Sequence, residues 1–170
     1  NSMRSKTLMP VAAGLILAAS APAFAANKTT TMGVSASVAA NCVVSASNLA
    51  FGPYDGSAAL TNSAPISVRC TNGTTYDLLL SEGGSASYTQ RLLSNGTNTL
   101  QYNLYTTSAA NTVWGDGTTS STGKVSWTGT GMSSSAAYIH TVHGVLPNST
   151  TNQDAPVGNY SDTITVTVAY

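Results

Sequence analysis

Along Thr30-Thr31-Met32-Gly33-Val34-Ser35-Ala36-Ser37-Val38-Ala39-Ala40, apolar side chains recur at every second position. Met32, Val34, Ala36, Val38 and Ala40 fall on one side; Thr31, Gly33, Ser35, Ser37 and Ala39 fall on the other. A period of two belongs to an extended strand with one buried face, because a helix repeats every 3.6 residues. The far end shows the same pattern: Ile164, Val166, Val168 and Tyr170 alternate with Thr163, Thr165, Thr167 and Ala169. The sequence stops on that pattern, so the last strand is expected to keep a bare edge. An amphipathic strand at the front and a bare strand at the back are expected to complement each other between molecules.

Between these ends, short apolar or alternating runs are separated by turn formers. Leu49-Ala50-Phe51 precedes Gly52-Pro53-Tyr54-Asp55-Gly56, and residues 66–70 end at Asn72-Gly73. Residues 76–80 break at Gly83-Gly84, and residues 100–105 follow Asn95-Gly96. Val113-Trp114, residues 124–130, residues 138–146 and residues 162–170 complete the series. About seven or eight short strands with regular turn signals predict an all-β fold. Beyond residue 25 no segment shows a helical period with caps. Two packed antiparallel sheets or a barrel are the expected solutions.

The first 25 residues read differently. Met3, Arg4 and Lys6 lead into the apolar run Val11-Ala12-Ala13-Gly14-Leu15-Ile16-Leu17-Ala18-Ala19, and Ala23-Phe24-Ala25 closes it. A basic start, a short apolar centre and an A-x-A end predict a secretory signal peptide over 1–25, with residues 1–2 as a remnant ahead of the start. The run is too short for the roughly 20 apolar residues of a membrane span. Residues 26–170 then form one domain. They keep four basic residues (Lys28, Arg69, Arg91, Lys124) and six acidic ones (Asp55, Asp77, Glu82, Asp116, Asp154, Asp162). That balance gives no basic face for nucleic acid. Charged residues are 7% of the chain, against roughly 25% in ordinary soluble domains, so Thr, Ser, Asn and Gly must cover much of the surface. Cys42 and Cys70 are the two cysteines, and in an exported chain they are expected to form a disulfide. Closing a loop of that length stabilises the fold by about 3.5 kcal/mol in the chain-entropy model.

Catalytic patterns are weak. His140 and His143 lie three apart on an expected strand, so they point to opposite faces and make a poor metal pair. No G-x-S-x-G elbow accompanies the many serines. Gly129-Thr130-Gly131 lacks the strand-to-helix setting of a phosphate loop. Trp114, Trp127 and the tyrosines are expected to pack in the core and sheets rather than to line a sugar site. The expectation is a protein that is not an enzyme, with no cofactor and no metal.

Taken together, the signal peptide, Cys42, Phe51-Gly52-Pro53-Tyr54, Cys70-Thr71-Asn72-Gly73, Tyr76 and Arg91 resemble the spore coat protein U domain family. Leu100-Gln101-Tyr102-Asn103-Leu104-Tyr105, Trp114-Gly115-Asp116-Gly117, Val142-His143-Gly144 and Gly158-Asn159-Tyr160-Ser161-Asp162-Thr163 continue the resemblance toward Tyr170. That family includes subunits of archaic chaperone–usher pili of the Csu type. The resemblance implies an incomplete immunoglobulin-like β-sandwich that lacks its final strand and is completed by donor-strand complementation. Its partners would be a periplasmic chaperone, an outer-membrane usher and neighbouring pilin subunits, with export to the periplasm and then the cell surface. Residues 29–40 would be the donor strand, with Met32, Val34, Ala36 and Val38 as plugs. Ile164, Val166, Val168 and Tyr170 would mark the C-terminal edge strand that pairs with chaperone or donor. Burying three or four such plugs contributes on the order of 5–8 kcal/mol before ordering costs. The expected role is a structural pilus subunit serving adhesion and biofilm formation. A secreted coat or matrix protein of the same fold, and a self-contained carbohydrate-binding sandwich, are the alternatives.

Overall fold

The computed structural model describes residues 25–170. The expected signal peptide lies, apart from Ala25, outside the described residues. The chain divides into two units, Asn1–Ala36 and Ser37–Tyr170. Of the first, residues 25–36 are described; they form neither strand nor helix, and every one is exposed. The second unit holds all the regular structure described below.

Eight strands make up that unit: β1 (Cys42–Ala46), β2 (Leu60–Cys70), β3 (Thr75–Leu80), β4 (Arg91–Ser94), β5 (Thr99–Tyr105), β6 (Val125–Thr128), β7 (Tyr138–Leu146) and β8 (Val166–Ala169). They form a five-stranded sheet in the order β1-β2-β7-β5-β4 and a three-stranded sheet in the order β6-β3-β8. Every strand pairing is antiparallel. The alternation expected from the sequence sets the inner faces. Ala64, Ile66, Val68 and Cys70 of β2, Tyr76, Leu78 and Leu80 of β3, and Val142 and Leu146 of β7 are buried between the sheets. The all-β, two-sheet sandwich is therefore the fold.

Cys42 and Cys70 are register partners at the start of β1 and the end of β2, and they are joined by a disulfide. Gly144 turns inward on β7 between Val142 and Leu146. A Cβ there would lie 2.9 Å from Phe51 Cζ and 3.0 Å from Leu49, so the missing side chain makes room for both.

Several boundaries differ from the sequence reading. Leu49-Ala50-Phe51 is not a strand but a connection lying over Gly144. The expected strand over residues 162–170 is regular only at Val166–Ala169, because residues 162–165 are held mainly by bonds through the Asp162 and Ser81 side chains, with a single backbone bond from Ser81 N to Thr165 O. β2 begins earlier, at Leu60, where Thr61, Asn62 and Ser63 are polar and Pro65 reads as a breaker. β4 has no alternation and was not expected. A one-turn helix α1 (Thr150–Gln153) is capped by the Ser149 side chain, which accepts from Asn152 N. Four residues are too few to leave a helical period.

Candidate functional site

The three-stranded sheet ends at β8, whose one strand neighbour is β3. Its other edge has no strand partner among the described residues, and beside it the sandwich opens into a cleft of about 1280 Å³. One wall is the β1–β2 connection, residues 46–56; the other is the approach to β8, residues 155–164. The floor is core: Ile66, Leu80, Leu100, Leu104, Val142 and Leu146, with Tyr102 among them. The floor of the cleft along this side of the sandwich is thus made of hydrophobic core residues. Antiparallel edges and apolar faces left in this way are the features a further strand would cover.

Each wall is pinned by polar bonds. On the β1–β2 side, Ser47 N donates to Pro65 O at 3.1 Å, and Asn62 Nδ2 donates to Ala50 O at 2.6 Å. Tyr54 OH donates to Asn148 Oδ1 at 2.6 Å. On the β8 side, Ser94 and Ser161 exchange backbone bonds of 2.8 and 3.0 Å. The Asp162 carboxylate accepts from Tyr102 OH at 2.6 Å, Gly84 N at 2.9 Å and Thr163 N at 2.8 Å. A Cβ on Gly83 would overlap that carboxylate, and Gly83 sits at φ +69°, so glycine suits both the space and the backbone there. Thr165 N donates to Ser81 Oγ at 2.9 Å, and Ser81 N to Thr165 O at 3.0 Å.

Behind this wall Arg91 is fully buried. Its Nε and Nη2 donate to Ser81 O, Nη2 also to Trp114 O at 2.7 Å, and Nη1 to Asn103 Oδ1 at 2.7 Å. No carboxylate pairs with it; neutral acceptors satisfy a guanidinium that burial otherwise disfavours, and burial lowers its pKa. Burial first, then the bond to Asp162, raises the Tyr102 phenol far above its ordinary range, so it stays a donor.

The expected donor plugs take no part in any strand. Met32, Val34 and Val38 are 84, 86 and 85% exposed, and Ala36 is exposed as well. Where this segment joins β1 it is tied down: Thr71 Oγ1 accepts from Asn41 N at 3.1 Å and donates toward Ala39 O at 3.2 Å, while Thr71 N donates to Asn41 O at 2.9 Å. Ile164, Val166 and Val168 face the core half-buried, whereas Tyr170 is 61% exposed and does not join them. Tyr102, Asp162 and the Leu49–Phe51 pair were missed as site residues. In the sequence, Phe51, Tyr102 and Asp162 were marked only by the motifs at residues 51–54, 100–105 and 158–163, and Leu49 only by the apolar run at residues 49–51.

Away from the cleft, the imidazole of His140 is buried and His143 faces outward on the same strand. His140 Nε2 lies 2.7 Å from Tyr76 OH and packs among Tyr76, Trp127 and Tyr138. Trp114 is core, donating Nε1 to Leu78 O at 2.9 Å, while Trp127 stacks on Tyr138 with centroids 4.2 Å apart and is 42% exposed. Asp116 bonds its own loop, accepting from Thr118 N, Thr119 N and Thr122 Oγ1. Among the described residues no group of three His, Cys, Asp or Glu is placed to hold a metal, and no helix is long and apolar enough to cross a membrane.

The family model described as "Spore Coat Protein U domain" matches residues 28–167. A solved structure is also similar: the CsuC–CsuE chaperone–tip adhesion subunit pre-assembly complex from archaic chaperone–usher Csu pili of Acinetobacter baumannii. The likeness has a TM-score of 0.55 and 25% identity, and it covers 78% of this chain and 40% of the matched chain. No curated protein sequence gives a significant match.

Proposed function

Because the chain belongs to the Spore Coat Protein U domain family, we propose that it is a structural pilus subunit of the archaic chaperone–usher kind, assembled by donor-strand exchange. The observation that carries this reading is the cleft beside the edge of β8 that has no strand partner among the described residues, together with a front segment, residues 29–40, that alternates and is exposed. Residues 29–40 of one copy enter the cleft of the next. Met32, Val34, Ala36 and Val38 cover the apolar floor, and the donated backbone pairs with β8. A periplasmic chaperone fills the cleft beforehand, and an outer-membrane usher is where the exchange takes place. Head-to-tail donation that does not close on itself gives a filament, which serves adhesion and biofilm formation at the cell surface. The likeness to a chaperone–subunit complex of Csu pili supports the choice of partners.

The test uses the full chain and a chain carrying Val34→Asp and Val38→Asp, which can receive but not donate. The unaltered chain is expected to give a ladder of non-covalent oligomers on native gels. The double variant is expected to stay monomeric yet bind a fluorescent peptide of residues 29–40 by anisotropy. The same peptide carrying both aspartates should not bind. An unaltered chain that remains monomeric and ignores the peptide would remove this reading and put a self-contained binding sandwich in its place.

A further inference from the structure

Tyr102 is a floor residue of the cleft that touches both walls. Its ring meets Phe51 of the β1–β2 wall edge-to-face, with centroids 6.0 Å apart and planes at 67°. Its hydroxyl donates to Asp162 of the β8 wall at 2.6 Å. Asp162 is itself fixed by Gly84 N and Thr163 N, and Phe51 rests against Gly144. Tyr102 is 3% exposed, so it is a clamped crosspiece and not a surface side chain free to swing aside. Leu100 and Leu104, two residues to either side on the same face of β5, have apolar tips and no such polar tie.

A strand lying along this cleft presents a side chain to the floor about every 6.6–6.8 Å. Leu100, Tyr102 and Leu104 repeat at the same interval, and aligned sheets cross within about 30°. Three successive floor positions therefore face three successive plugs: two that yield and one held rigid between them. The front segment carries a matching triplet, Val34, Ala36 and Val38, with the smallest side chain in the middle. We propose that Tyr102 is a specificity-determining crosspiece that admits a donor strand only where the strand presents a small side chain, Ala36 of a second copy. This rests on the donor-strand reading above and adds the register to it, with Val34 and Val38 seated toward the flanking leucines.

The experiment uses the full chain carrying Val34→Asp and Val38→Asp as acceptor and labelled peptides of residues 29–40 as probes. Ala36→Leu in the peptide is expected to weaken binding about ten- to hundredfold, the cost of overpacking a rigid site. Val34→Leu at a yielding position is expected to change it by less than about threefold. Tyr102→Ala in the acceptor should recover most of the loss for the Ala36→Leu peptide. Tyr102→Phe keeps the ring against Phe51 but loses the tie to Asp162, and should recover part of the loss, less than Tyr102→Ala does. Equal binding of the Ala36→Leu and unaltered peptides to the Tyr102 acceptor overturns the crosspiece and leaves donor-strand exchange standing. The peptide series on that acceptor decides the matter even if Tyr102→Ala fails to fold. Absence of binding by every peptide, the unaltered one included, overturns the donor-strand reading and this inference with it.

Discussion

His140 sets a stability limit on the acid side. Its imidazole is buried against Tyr76, Trp127 and Tyr138, with no carboxylate among its partners. Burial holds its pKa below the ordinary value of 6.5. The unfolded chain therefore takes up a proton before the folded one does, and stability depends on pH in that window. It is complete above about pH 6.5 and falls as pH drops below it, continuing until the folded-state imidazole itself protonates. Urea midpoints measured between pH 5 and 8 on the non-donating double variant should show this fall. His140→Gln, which cannot take a proton, should flatten that part of the profile while lowering the plateau. An unchanged slope in His140→Gln would assign the acid sensitivity elsewhere. Arg91 teaches the complementary lesson: a buried charge survives here because backbone carbonyls of Ser81 and Trp114 and the Asn103 side chain accept from it.

At the scale of elements, the β1–β2 wall stands where it does because β7 has no side chain at position 144. Gly144→Ala places a methyl group 2.9–3.0 Å from Phe51 and Leu49, closer than carbon atoms pack without displacement. The wall must move outward or the sheet must bend, at a cost of about 1–3 kcal/mol. Urea unfolding measures that cost, and the same variant should bind the 29–40 peptide more weakly because Phe51 no longer braces Tyr102. This wall also shows where the sequence stops being legible. The strands at residues 66–70, 76–80, 100–105 and 138–146 could be read because one buried face imposes a period of two on neighbouring residues. The front alternation was legible for the same reason, although among the described residues it forms no strand pairing. The wall over residues 49–51, the strand β4 and the held segment 162–165 left no such period. Their positions depend on bonds between distant residues: Asp162 reaches Gly84 across 78 positions and Tyr102 across 60. Residue order along the chain does not encode those distances.

For the whole molecule, the disulfide replaces part of the cohesion that an open-sided sandwich lacks. Cys42 and Cys70 are 28 residues apart, and tying them restricts the unfolded chain by about 3.5 kcal/mol. Cys42→Ser with Cys70→Ser, in the non-donating background, should lower the urea-derived stability by about that amount. Adding the 29–40 peptide should restore part of it by mass action. A loss near zero would mean that the unfolded chain is already compact around this loop. The position of the bond has a mechanical consequence too. In the proposed head-to-tail fibre, tension on residues 29–40 would enter the body at Asn41, where Thr71 grips the backbone. The next residue is Cys42, covalently joined to the end of β2, a central strand hydrogen-bonded to both β1 and β7. In such a fibre, a pull that would otherwise peel β1 from the sheet edge one hydrogen bond at a time would be passed through the disulfide into β2, an interior strand of the larger sheet.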